Sequence, residues 1–204
     1  ALAGIAASDW ASGPLASLLA PVTPETAWSS ELSKWEAVLD EHEMSPMPIT
    51  RAVIRWLRRN PPSPAERVGL VHGDCRAGNF LFSGSRITAV LDWEMAHVGD
   101  PIEDLTWGWL GNWRYDQNDL SLVGGMCTKD EAVRRWERAT GLTADPHSLR
   151  WWELLGHVKA IAIWTTGGQQ FAAGRTSDFL LGLIPWLYSD KQEQWMLELL
   201  EEAA

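Results

Sequence analysis

Asp74 and Asn79 stand five positions apart just after an apolar run, and Asp92 closes a second apolar run, Ile87 to Leu91. Asn79 and Asp92 each offer an oxygen ligand. A pair of such ligands suits Mg²⁺, a hard cation that takes few protein groups and leaves the rest of its shell to water and phosphate. For the two to meet, the chain between them must turn back. Phe80-Leu81-Phe82 and Ile87 to Leu91 flank Ser83-Gly84-Ser85-Arg86, which reads as a β-hairpin with a glycine-containing turn. The hairpin brings Asn79 at its entrance next to Asp92 at its exit.

Other chemistries fit these residues less well. His72, His97 and the carboxylates suggest zinc, but the chain has no HExxH and no Cys/His cluster. It also has no Gly-x-Ser-x-Gly, the usual serine-hydrolase elbow. The two cysteines, Cys75 and Cys127, form neither a CxxC pair nor a disulfide framework, which fits a reducing cytoplasm.

His72-Gly73-Asp74 with Asn79, then Leu91-Asp92-Trp93-Glu94, then Gly99-Asp100-Pro101 with Asp104-Leu105, together resemble the catalytic half of the aminoglycoside phosphotransferase and choline kinase group, small-molecule kinases related to protein kinases. Protein kinases share the spacing of a catalytic-loop Asp, an Asn five residues on, and a metal-binding Asp opening the next loop. The wording HGDCRAGN and LDWEMAHVGDP, with the Trp-rich stretch that follows, looks most like the branch fused to some acyl-CoA dehydrogenases. The resemblance implies an ATP-dependent phosphotransferase acting on a small-molecule hydroxyl. Asp74 would be the base, and Asn79 and Asp92 would hold the Mg²⁺ that bridges the ATP phosphates.

The same resemblance gives Asp104 its role, and the residues themselves suggest the others. His72 would support the loop, and Asp104 would brace it by accepting backbone N–H groups. Arg76 has two readings, a contact to phosphate or a substrate anion and a structural salt bridge. Glu94 stands near the metal ligands, either behind them or on the metal. His97 either lines the site or is a satisfied surface histidine, and Asp100 either reaches a substrate or, the preferred reading, caps the helix before Pro101.

These residues need a framework to hold them. Val68 to Val71 predicts a short strand into the catalytic loop, and Pro101 to Trp113 a helix after the hairpin. Upstream, helical spacing appears over Glu31 to His42 (Leu32, Trp35, Val38, Leu39), with a start at Ser29 or Ser30. It appears again over Ile49 to Asn60 (Ala52, Val53, Trp56, Leu57), ended by the prolines from Pro61. Arg51, Arg55, Arg58 and Arg59 make a basic stripe on that second helix, either solvated or facing a partner. Downstream, Asn112 to Thr128 reads as a loop, and Thr128 to Thr140 as a helix with a capping-box start and Gly141 as its stop. A long apolar helix runs from Pro146 to Thr166, interrupted at Gly167-Gly168. One or two more helices fill Ser177 to Leu200, broken or bent near Pro185.

The fold expected is α+β and mostly helical: a protein-kinase-like C-terminal lobe with a short hairpin carrying the metal ligands. It forms one domain over residues 1–204, with its catalytic and metal core at 70–105 and a helical substrate-side region at 106–204. No Gly-rich phosphate loop or strand lysine precedes Leu70, so the N-terminal nucleotide lobe reads as absent and the isolated chain is expected to be weakly active or inactive. That missing lobe of the same protein and a hydroxyl substrate are the expected partners.

With 204 residues, 46% of them apolar, the chain can bury one good core. A net charge of −10 argues against a nucleic-acid surface, and no run is long enough for a membrane span or fits a leader. A soluble cytoplasmic location is therefore expected. Fourteen tryptophans read first as bulky core and second as an aromatic substrate wall. A competing function is a catalytically silent kinase-like module that binds a ligand or partner through its Trp-rich half.

Overall fold

Residues 1–113 and 122–202 are described by the computed structural model. In chain order the elements are α1 (Leu2–Ala6), α2 (Ala27–His42), α3 (Pro48–Arg59), β1 (Gly69–Val71), β2 (Phe80–Ser83), β3 (Arg86–Val90), β4 (His97–Gly99), α4 (Ile102–Trp107), β5 (Leu122–Val123), β6 (Cys127–Thr128), α5 (Lys129–Thr140), α6 (Pro146–Ala172) and α7 (Phe179–Glu201). They form two compact units, one of Ala1–Trp28 with Pro62–Glu153 and one of Ser29–Pro61 with Leu154–Ala204.

The first unit holds three antiparallel strand pairs. β1 pairs with β4, setting Leu70 opposite Val98 and Val71 opposite His97. β2 pairs with β3 from Phe80↔Val90 to Ser83↔Arg86, so the predicted hairpin closes through a two-residue Gly84-Ser85 turn. Its register slips by one residue after Leu81, the mark of a β-bulge. Beneath the strands, Ile5, Leu70 and Cys75 form a buried cluster against which Phe80 and Val90 pack. α4 is wholly buried, and Trp151 and Trp152 at the start of α6 are almost fully so.

α4 is shorter than the predicted Pro101–Trp113 helix. It ends at Gly108, and a 3₁₀ turn over Gly111–Trp113 follows. A side chain at position 108 would press on the Cys75 carbonyl at 3.1 Å, so glycine lets the helix end lie close to the loop after β1. The loop expected over 112–128 lies partly outside the described residues, and its far end carries the β5–β6 pair. α5 begins and ends where its local signals place it. Thr128 Oγ1 accepts the N–H of Glu131, and Gly141 closes the helix in the left-handed conformation. A cap of this kind contributes about 1 kcal/mol.

In the second unit, α2 begins two to three residues before the expected serines. Of the apolar face expected on it, Leu32, Trp35 and Leu39 are buried, while Val38 is half-buried. α3 buries Thr50, Val53, Ile54 and Leu57, so Ile54 takes the place expected of Ala52, which is exposed. Two arginines of the basic stripe pair back to α2 and the residue after it: Arg51 with Asp40 at 2.6 Å and with Glu43, and Arg58 with Glu36.

α6 does not stop at Gly167-Gly168 but continues to Ala172. The glycines that weaken the helix locally are what allow close packing on α7. A Cβ at position 168 would lie 2.8 Å from the Pro185 ring and 3.0 Å from the Met44 methyl. α7 is one helix with Pro185 inside it, started by Asp178, whose carboxylate accepts the N–H of Leu180.

Candidate active site

The loop from β1 to β2 is held by one carboxylate. Asp104, 3% exposed on α4, accepts the backbone N–H of His72 through Oδ2 at 2.8 Å and that of Gly73 through Oδ1 at 2.9 Å. Gly73 has φ +83°, and a Cβ there would fall 2.5 Å from the Met95 carbonyl, so the loop turns at a position only glycine can fill. His72 is fully buried. Its Nδ1 accepts the Asp74 N–H at 3.1 Å, which leaves Nε2 as donor to the Leu91 carbonyl at 2.8 Å. Its ring packs at 4.6 Å on Trp93, tilted by 59°. His72 thus ties the Asp74 loop to the end of β3.

The Asp74 carboxylate is gripped from several sides. Oδ1 accepts the indole N–H of Trp107 at 2.7 Å, and Oδ2 accepts an amide hydrogen from Asn79 at 2.7 Å. Arg76 Nε lies 3.2 Å from both oxygens, and the Arg76 guanidinium sits 4.8 Å from the centre of the Trp113 ring. Trp113 is in turn 5.6 Å from Trp107. The carboxylate therefore has a fixed position and a cation beside it. Of the two readings of Arg76, the ion pair with Asp74 is the one formed here.

Asn79 is 6% exposed and spends its amide nitrogen on the Asp74 carboxylate and on the Asp74 carbonyl, the latter at 2.9 Å. That assignment leaves its amide oxygen to act as an acceptor. The Leu91 N–H donates to the Asn79 carbonyl at 2.8 Å, closing the mouth of the hairpin with Asp92 the next residue. Asp92 is exposed and adopts φ +67°, the one non-glycine residue with positive φ among those described. The left-handed region is uncommon for residues other than Gly, Asn and Asp. Asn79 and Asp92 supply only oxygen donors, one of them anionic, at the two ends of a closed hairpin. This donor set fits Mg²⁺ and does not fit a soft metal.

The remaining sequence-predicted residues fall around this centre. Glu94 is exposed two residues after Asp92. His97 lies between the Met95 carbonyl, 3.0 Å from Nδ1, and Glu103, 3.1 Å from Nε2. Asp100 is buried and caps α4, accepting the Ile102 N–H at 3.0 Å and the Trp152 indole N–H at 3.1 Å. Burial pushes its carboxyl up to about 6, against the lowering effect of those two bonds. Cys75, beside Asp74, is 2% exposed, and burial raises its thiol well above the ordinary range, which makes it a poor nucleophile.

Sequence reasoning missed the part played by Trp107, treating it as core or substrate wall. The available signal was its position three residues after Asp104 on a helix, which places both side chains on one face.

The profile of the phosphotransferase enzyme family matches residues 1–152. Acyl-CoA dehydrogenase family member 11 is 33% identical over 79 residues in Gallus gallus, covering 38% of this chain and 10% of that protein. The Homo sapiens protein of the same name is 26% identical over 160 residues, covering 74% and 20%. Among solved structures, a putative aminoglycoside phosphotransferase from Ralstonia eutropha superposes with a TM-score of 0.82 at 19% identity, covering 98% of this chain and 62% of that one. A choline/ethanolamine kinase family protein from Mesorhizobium loti gives 0.59 at 18% identity, covering 98% and 60%. The chain thus spans a tenth to a fifth of the dehydrogenase-named relatives and about three fifths of the structural neighbours. Among the described residues, no helix is long and apolar enough to cross a membrane.

Proposed function

Because the chain belongs to the phosphotransferase enzyme family, we propose that it carries the catalytic residues of a small-molecule kinase that moves the γ-phosphate of ATP to an acceptor hydroxyl. The observation that supports this most directly is the double use of Asn79. Its amide nitrogen fixes the Asp74 carboxylate at 2.7 Å, and its amide oxygen remains as a ligand for a cation. One side chain therefore couples the position of the base to the position of the metal.

In this reading Asp74 orients the acceptor hydroxyl and takes its proton as the oxygen attacks phosphorus and the bond to the leaving diphosphate breaks. Asn79 and Asp92 would hold Mg²⁺, which supplies charge neutralisation at the phosphates when bound. Trp107 and Arg76 keep the carboxylate in one rotamer. Asp104 and His72 hold the loop that carries it, so little reorganisation remains to be made at the moment of transfer.

The test is phosphotransfer from Mg-ATP to a panel of hydroxyl compounds by the full-length protein, beside its Asp74→Asn variant. Loss of a positioned base typically costs 10² to 10⁴ in rate, and a loss of about that size is expected in kcat. A variant as fast as the wild type on a proven acceptor would remove Asp74 from the role. A folded, Mg-ATP-binding protein that phosphorylates nothing would favour the silent binding module instead.

A further inference from the structure

The second unit contains a half-open cavity of about 510 Å³ between the α2–α3 connection, α6 and α7, and none of its lining residues belongs to the phosphotransfer site. Two carboxylates, Asp190 and Glu193, line it, and no lysine, arginine or histidine does. Glu193 is held in place by the start of α3: its Oε1 accepts the Thr50 N–H at 3.2 Å and the Thr50 hydroxyl at 2.9 Å. Asp190 is exposed at the rim. Trp186, 87% exposed, adds an aromatic face, and Met47 is part of the apolar wall.

Thr165 also lines the cavity. It is 0% exposed, and its hydroxyl has no hydrogen-bond partner. The next residue on α6, Thr166, satisfies its own hydroxyl on the Ala162 carbonyl at 2.9 Å, so the helix offers that solution and Thr165 does not use it. The Ser189 hydroxyl, also on the lining, is likewise without a partner. Buried hydroxyls are ordinarily paired, and two unpaired ones on residues that line an anionic cavity mark places where a ligand's polar hydrogens can be received.

We propose that this cavity, lined by none of the residues assigned to phosphotransfer, is a binding site for a primary amine carried on an apolar or aromatic body. An ammonium group brings three N–H donors and a positive charge. The two carboxylates match the charge, the Thr165 and Ser189 oxygens match the donors, and the Trp186 face and the methionine wall take the apolar body. A quaternary ammonium carries the charge without the donors, and a neutral alcohol of the same skeleton lacks the charge.

Calorimetric titration of the full-length protein with phenethylamine tests the site, with its N,N,N-trimethyl derivative and phenethyl alcohol as comparators. Phenethylamine is expected to bind and both comparators to bind at least about fivefold more weakly, because each lacks one recognised feature. Asp190→Asn, at an exposed position that leaves folding intact, should weaken phenethylamine about fivefold or more. Thr165→Val should do the same while Thr165→Ser, which keeps the hydroxyl, restores binding. Asp74→Asn should leave the affinity unchanged. No binding, equal binding of the three compounds, or indifference to Asp190→Asn and Thr165→Val would each overturn the proposal. Loss of binding in Asp74→Asn would place the amine in the phosphotransfer site and overturn it equally.

Discussion

Trp107 and Asp74 are joined by a 2.7 Å hydrogen bond that leaves the same short helix from which Asp104 holds the backbone of His72 and Gly73. One turn of α4 therefore sets both the path of the loop that carries Asp74 and the direction of its carboxylate. Trp107 is 2% exposed, so solvent offers the carboxylate no ready substitute for this donor.

Trp107→Phe keeps most of the ring and removes the N–H. A hydrogen bond to a charged group contributes about 1.5–3 kcal/mol, and part of that loss should appear as freedom of the Asp74 carboxylate. The expected result is a fall of about tenfold in kcat, with KM for ATP changed by no more than about twofold. Steady-state kinetics on the full-length protein give the answer. An unchanged kcat would mean that Asn79 and Arg76 suffice to orient Asp74.

Asp100 should make stability depend on pH in an unusual direction. Its folded carboxyl titrates at about 6, above its ordinary value of 3.8, because burial penalises the charged form. Between those two values the native state holds a proton that the unfolded chain has lost, so stability falls as pH rises through the window. A shift of this size corresponds to about 3 kcal/mol at most. Asp100→Asn stays neutral and should remove that slope. Urea unfolding of both proteins at several pH values from 4 to 7.5 measures the difference, and parallel pH profiles would refute the assignment.

Gly168→Ala sets two effects against each other. Alanine gains about 1 kcal/mol over glycine inside a helix. The new methyl would meet the rigid Pro185 ring at 2.8 Å, and overpacking of this kind costs about 1–3 kcal/mol. A net destabilisation of about 1 kcal/mol is expected from denaturant melts. Gly167→Ala, whose nearest contact is the flexible end of Leu181 at 3.3 Å, should be close to neutral and serves as the control. Stabilisation by Gly168→Ala would show that α6 and α7 yield more readily than their packing suggests.

The parts of the fold that could be read from the sequence are those set by neighbours along the chain. The β2–β3 hairpin follows from two apolar runs and a glycine turn, and α5 from a threonine cap and a glycine stop, all within a few residues. Misreadings came where distant packing decides. Gly167-Gly168 look like a stop until α7 supplies the surface they fit against. The buried face of α3 differs from the periodic reading: Thr50 and Ile54 are buried, Ala52 is exposed and Trp56 only half-buried, a choice made by packing rather than by local spacing. In the site, Asp74 and Asn79 are close because they share one loop. The bond from Trp107 crosses 33 positions and carries no local mark beyond its helical spacing from Asp104.

α4 also fixes where the chain can change length. Each residue advances an α-helix by about 100°, so a single insertion or deletion between Asp104 and Trp107 would swing one of the two side chains off the loop while the other stayed. Ser83 to Arg86 is the opposite case: the turn is exposed, and Gly84 has open space around it. Added residues there would lengthen the tip of the hairpin and leave Asn79 and Asp92 at its base where they are. For anyone inserting a tag, a reporter or a cross-linking residue near Asp74, the hairpin tip accepts it and the three-residue interval on α4 does not.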